Sequence, residues 1–127
     1  MSVLAKRAPL TVSAAEAKEY FRNKMAFTAG PVQVSEWIEE GAPICVVDVR
    51  AEEDYKKGHV PGAISLPKKH WGSLEGLRKD RNNILYCYSQ TCHLAAAAAL
   101  KFSRLDFPVV EMEGGFKAWS EHGLKTE

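Results

Sequence analysis

The chain has 127 residues, 46% of them hydrophobic, and a formal net charge of +1. That length suits one domain with a sizeable core of its own, without metal or disulfide staples. The near-balanced charge gives no broad electrostatic case for nucleic acid or a membrane surface, and no apolar run approaches the roughly 20 residues of a membrane span. Along the chain, the first ten residues carry Lys6 and Arg7 with no apolar core after them, so no signal peptide is read. An odd set of three cysteines suits a reduced, cytoplasmic protein.

Ser13-Ala14-Ala15-Glu16 has the spacing of a capping box. It predicts a helix running to about Asn23 or Lys24, with Ala17, Tyr20 and Phe21 as the apolar stripe. Ala29-Gly30-Pro31 breaks that pattern. Ser35 is read as the cap of a short helix over 36–40, stopped by Gly41. Pro43-Ile44-Cys45-Val46-Val47-Asp48-Val49 is a near-continuous apolar strand, the pattern of a strand buried on both faces of a parallel sheet. Residues 51–57 form a short helix or turn ending at Gly58. Residues 58–67 turn into a brief strand with a proline near each end. Residues 69–79 are ambiguous, because Gly72 and Gly76 weaken any helix. A strand follows over 83–86, then a helix from His93 or Leu94 to about Arg104. Residues 108–112 make another strand, Gly114-Gly115 a turn, and 116–122 a last helix ending at Gly123. Strands alternating with helices predict an α/β class with a small, mainly parallel sheet and helices on both faces. Ligands of such sheets bind beyond the carboxyl ends of the strands. Asp48 and Cys87 both fall there.

The chemistry concentrates at Ile84-Leu85-Tyr86-Cys87-Tyr88-Ser89-Gln90-Thr91-Cys92-His93, which leads into Leu94 and five alanines. An apolar strand ends in a thiol, a short polar loop follows, and a helix begins. Backbone N–H groups of such a loop and helix start would favour the Cys87 thiolate, the nucleophilic form, and predict a lowered pKa.

Four pieces occur together in order: Asp48-Val49-Arg50, then Gly58-His59-Val60-Pro61-Gly62-Ala63-Ile64, then the strand ending in Cys87, then Glu113-Gly114-Gly115-Phe116 with Trp119. In order and spacing they resemble the rhodanese-like family of sulfurtransferases, from about Val32 to Leu124. The resemblance implies a rhodanese-like domain over 32–127, preceded by an N-terminal extension with a helix over 1–31. It implies a catalytic Cys87 and an active-site loop of Tyr88, Ser89, Gln90, Thr91, Cys92 and His93 whose amides cradle a persulfide. The reaction it implies passes sulfane sulfur from a thiosulfate- or persulfide-type donor to cyanide or a thiol, including a partner protein's thiol. No metal or organic cofactor is needed. The six positions from Cys87 to Cys92 are similar to the loop of sulfur-transferring members.

Two positions depart from the family pattern. Gln90 stands where glycine is common, and Cys92 where arginine or threonine is common. A guanidinium there would hold an anionic donor by paired hydrogen bonds, so its absence argues against thiosulfate as the natural donor. A phosphatase would need a longer loop and that same cationic fork. Cys92 has two readings, a thiol for redox or persulfide exchange with Cys87, or a residue that only shapes the loop. His93 either contacts the anion and moves a proton or simply starts the helix. Asp48 and Arg50 are read as holding the strand-end loops, with substrate steering as the other possibility. His59 is read as a hydrogen bonder within its turn, Cys45 as core, and Trp37, Trp71 and Trp119 as core or pocket wall. Lys68-Lys69-His70 is a solvated face or an attraction for an anionic donor. A non-enzymatic sulfur carrier or a regulatory binding module is the alternative to an enzyme. No exposed apolar stripe assigns an oligomeric state.

Overall fold

Two apolar runs lie side by side at the centre of a parallel sheet, because every Val, Ile and Leu in them has a helix-covered face to point into. The computed structural model describes residues 11–127; residues 1–10, where no signal peptide is read, lie outside the described residues. In chain order the elements are α1 (Ala14–Phe27), β1 (Thr28–Ala29), α2 (Pro31–Glu39), β2 (Ile44–Asp48), α3 (Glu52–Lys57), β3 (Ile64–Ser65), a 3-10 helix (Lys68–Ser73), β4 (Asn82–Tyr86), α4 (Leu94–Ser103), β5 (Val109–Met112) and α5 (Gly115–Glu121). The five strands form one sheet in the order β1-β5-β4-β2-β3, and every pairing is parallel. The central pair runs in register from Ile44 opposite Asn82 to Asp48 opposite Tyr86.

Strand alternation divides the core in two. Val46, Ile84 and Tyr86 join Val34, Met112 and Trp119 on the face covered by α2 and α5. Val47, Val49, Leu85 and Cys87 join Trp71, Ala95, Ala98 and Phe102 on the face covered by α4 and the 3-10 helix. Each fully buried branched or aromatic side chain stabilises the fold by about 1.5–3 kcal/mol. Ala95 and Ala98 are buried. Their small side chains let α4 lie close to the sheet, and this brings the helix start over the end of β4. No helix among the described residues is long and apolar enough to cross a membrane.

The structure corrects the sequence reading at four places. α1 extends to Phe27, with Ser13 Oγ accepting from the Glu16 amide at 3.2 Å. Its expected stripe does not face a core, since Tyr20 and Phe21 are 60% and 57% exposed. Both sheet faces are covered by other helices, and α1 is tied to the sheet margin by the Lys24 Nζ–Glu113 Oε2 ion pair at 2.6 Å. α2 starts at Pro31, capped by Gly30, and Ser35 lies inside it. Proline suits a first helical turn, where its missing N–H has no intrahelical partner to lose. Thr28–Ala29, within the stretch read as an N-terminal extension, is an edge strand paired with Glu111 and Met112 of β5.

Candidate active site

Cys87 is the first residue beyond β4 and is 2% exposed. Strand parity turns it toward α4, whereas Asp48, level with Tyr86, points to the opposite face. The two residues share the carboxyl end of the sheet but lie on its opposite faces.

Asp48 is the centre of a buried polar network under the loop. Its Oδ2 accepts from the Tyr86 hydroxyl at 2.6 Å and from Arg50 Nη2 at 2.8 Å, and its Oδ1 accepts from the Arg50 amide at 2.9 Å. Arg50 Nη2 also donates to the Gly58 carbonyl at 2.6 Å, and the guanidinium lies 4.1 Å from the Phe116 ring centre. Arg50 is 5% exposed. Its Nε and Nη2 donors are engaged by Asp48 and by backbone carbonyls. Tyr86, which the sequence reading did not single out, links Asp48 to the glycine-bounded turn by accepting from the Val60 amide at 3.1 Å. Burial, with Asp48 beside it, pushes its phenol well above the ordinary range. The available signal was a tyrosine at the end of a buried strand, where its hydroxyl must find a partner. His59 belongs to the same network. Its Nδ1 lies 2.9 Å from the Tyr55 carbonyl, its ring stacks on Tyr55 at 3.8 Å, and its backbone exchanges hydrogen bonds with Glu127.

The loop is held from three sides. Cys92 N–H donates to the Ser89 carbonyl at 3.1 Å and curls the loop back. The Tyr88 hydroxyl donates to Asp54 Oδ2 at 2.6 Å and accepts from the Ala51 amide at 3.1 Å. The first amides of α5 bind loop carbonyls, Phe116 N–H to Cys87 O at 2.8 Å and Lys117 N–H to Tyr88 O at 2.9 Å. A trans peptide points its N–H away from its C=O. With the Cys87 carbonyl turned to α5, the Tyr88 N–H is turned toward the Cys87 sulfur, where it and the Ala95 amide favour the thiolate. This approach requires Gly115. Its φ is +62°, and a Cβ there would meet Cys87 O, Tyr88 C and Ser89 N at 2.7 Å. Ser89 and Thr91 place their hydroxyls 3.3 Å apart, and Gln90 is exposed at the loop tip.

The resting thiol departs from the expected lowered pKa. Burial pushes Cys87 up to about 11, with the neighbouring Cys92 adding to the rise and the Ala95 and Tyr88 amides opposing it. The thiol instead donates to the Cys92 carbonyl at 3.4 Å. The physical reason is depth, because a thiolate walled by Val49, Leu85 and Ala98 loses more hydration than two amides restore. Burial also acts against ionisation of Cys92. The hydrogen bond from Cys87, with the Leu94 and Tyr88 amides, nevertheless holds that thiol below its ordinary value.

Besides a cavity between Ser89–Thr91 and α5, two more flank the loop. One, of about 400 Å³, is lined by Val49, Glu52, Glu53, Lys68, Lys69 and Tyr88 among others. It brings the Lys68–Lys69 run beside the loop. The other, of about 410 Å³, separates the loop from α1 and is lined by Tyr20, Lys24, Gln90, Cys92, His93 and Glu111 among others. His93 caps α4 without a side-chain hydrogen bond to the helix. Cys45 lies near the opposite end of β2, its thiol donating to the Gly76 carbonyl at 3.5 Å.

Comparison with known proteins agrees with this architecture. The sequence profile of the rhodanese-like domain matches residues 30–122. A solved structure of the BH2092 protein from Bacillus halodurans superposes with a TM-score of 0.82 at 34% identity, covering 91% of this chain and 86% of that one. A sulfurtransferase from Allochromatium vinosum is 28% identical over 72% of this chain and 85% of its own length. The probable adenylyltransferase/sulfurtransferase MoeZ of Mycobacterium tuberculosis is 32% identical over 74% of this chain, which spans only 24% of that longer protein. The match of the rhodanese-like profile over residues 30–122, on the sheet order described above, places this chain in the rhodanese-like domain family.

Proposed function

We propose that this protein is a sulfurtransferase that carries sulfane sulfur as a persulfide on Cys87. The observation that supports the reading best is the Tyr88 peptide, whose carbonyl is held by α5 and whose N–H is turned to the Cys87 sulfur. The similarity to named sulfurtransferases points the same way.

In the loading half, Cys87 attacks the sulfane sulfur of the donor. A bond forms from Cys87 Sγ to that sulfur, the donor's S–S bond breaks, and the donor leaves as a thiolate. The thiol proton leaves with the donor's departing sulfur. In the discharging half, a thiolate or cyanide takes the outer sulfur and Cys87 leaves as the anion. Two easier displacements replace one difficult one. The amides of Tyr88 and Ala95 stabilise the charge on sulfur as an oxyanion hole does on oxygen. Tyr88, Ser89, Gln90, Thr91, Cys92 and His93 shape the pocket, while Asp48, Arg50 and His59 brace it from below. Lacking a fixed guanidinium in the loop, the site suits a persulfide-type donor better than thiosulfate. The acceptor is a small thiol or a partner protein's thiol, in a reducing cytoplasmic setting.

The test is Cys87→Ser. Sulfur transfer to cyanide should vanish, and intact-mass analysis should show no added sulfur after exposure to a persulfide donor, with the circular dichroism spectrum unchanged. Full activity in that variant would remove Cys87 from the mechanism.

A further inference from the structure

The geometry points to a second outcome for the bound sulfur: Cys92 attacks the inner sulfur of the Cys87 persulfide and releases the carried sulfur as hydrosulfide. This inference rests on the proposed persulfide at Cys87 and adds a persulfide-reducing activity to it. The structure supplies the arrangement in three ways. The loop curls back through the Cys92 N–H to Ser89 carbonyl bond, and the Cys87 thiol points at residue 92, donating to its carbonyl at 3.4 Å. Cys92 also packs against the cluster that contains Cys87, with its other side on the cavity facing α1. The third cysteine is far from this chemistry, near the other end of β2.

The step balances. Cys92–SH and Cys87–S–S⁻ become Cys87–S–S–Cys92 and HS⁻. A bond forms between the two cysteine sulfurs, the bond from Cys87 Sγ to the outer sulfur breaks, and the Cys92 proton leaves on the departing sulfide. The sulfane sulfur is reduced, and the two cysteines are oxidised to a disulfide. An external dithiol or monothiol then reduces that disulfide and completes the cycle, entering from the α1 side where Cys92 is the more accessible sulfur. The competing step, attack on the outer sulfur, would move the persulfide to Cys92 and expel Cys87 as a thiolate. Cys87 Sγ, the atom that becomes the inner sulfur, is the one directed at residue 92, so the attack falls there and hydrosulfide is the group that leaves.

The experiment loads wild type, Cys92→Ser, Cys92→Ala and Cys45→Ser with glutathione persulfide, removes the donor, and follows free sulfide and intact mass without added thiol. Wild type and Cys45→Ser should gain one sulfur, then release one equivalent of sulfide per chain and end two hydrogens lighter than the reduced protein. Peptide mapping should find Cys87 joined to Cys92. The Cys92 variants should keep the added sulfur and surrender it only to cyanide. If wild type keeps its sulfur as long as Cys92→Ser does, and no Cys87–Cys92 linkage forms, the inference is wrong while the carrier reading stands. If no variant and no wild type takes up sulfur, both readings fall.

Discussion

Gly115→Ala is the sharpest test of how the fold makes the site. The new methyl group would lie 2.7 Å from Cys87 O, Tyr88 C and Ser89 N, all of them backbone atoms that cannot rotate away. The residue would also keep a left-handed φ of +62°, which costs an alanine roughly 1–2 kcal/mol. Relieving the clash must lengthen the Phe116 N–H to Cys87 O and Lys117 N–H to Tyr88 O bonds, each worth about 1 kcal/mol. The expected loss is therefore about 3 kcal/mol in urea denaturation. Movement of the Cys87 and Tyr88 peptides also turns the Tyr88 amide off the sulfur. A displacement near 1 Å at a reacting group costs about a hundredfold in rate, so sulfur transfer to cyanide should fall by that order even where the variant is fully folded. Gly123→Ala is the control. It has φ of +66° with nothing within 4 Å of the added Cβ. It should lose only about 1 kcal/mol from the backbone conformation and keep full activity. Equal stability losses in the two variants, with activity intact in both, would refute the account of Gly115 as the contact that orients the loop.

Three further outcomes are expected. Because burial favours the neutral Cys87 thiol, its alkylation by iodoacetamide should lag that of Cys92 and rise only above the ordinary thiol range; a Cys87 midpoint at or below the ordinary thiol value of about 8.5 would contradict this. Cys92→Arg should improve thiosulfate as donor by roughly ten- to a hundredfold, since a charge-assisted contact is worth about 1.5–3 kcal/mol, and unchanged thiosulfate kinetics would remove the argument from the missing guanidinium. Asp48→Asn leaves the buried Arg50 cation without its carboxylate, so chemical denaturation should report a loss of about 3–5 kcal/mol, and a loss below about 1 kcal/mol would mean the network is not bracing the strand ends.

Local pattern was enough for the central elements. The apolar runs ending at Asp48 and Cys87, the alanine-rich helix behind the loop and the Gly114-Gly115 turn are each specified by neighbours in sequence, so their types and places were legible before any coordinates. The α2 start was also local, but Pro31 and Ser35 compete as signals, and the proline won because it begins a helix without losing a hydrogen bond. What the tertiary structure decided is everything that depends on what lies across the chain. β1 exists only because β5 offers it a partner edge, a two-residue pairing that has no periodicity to detect. Tyr20 and Phe21 form an apolar pair on α1, yet stay exposed because other helices already cover both sheet faces. Most of all, the state of the Cys87 thiol could not be read from a loop and a helix start. Those features orient amides toward the sulfur, but the depth of the strand end under α4 sets how much hydration the thiolate loses, and at this position depth outweighs the amides.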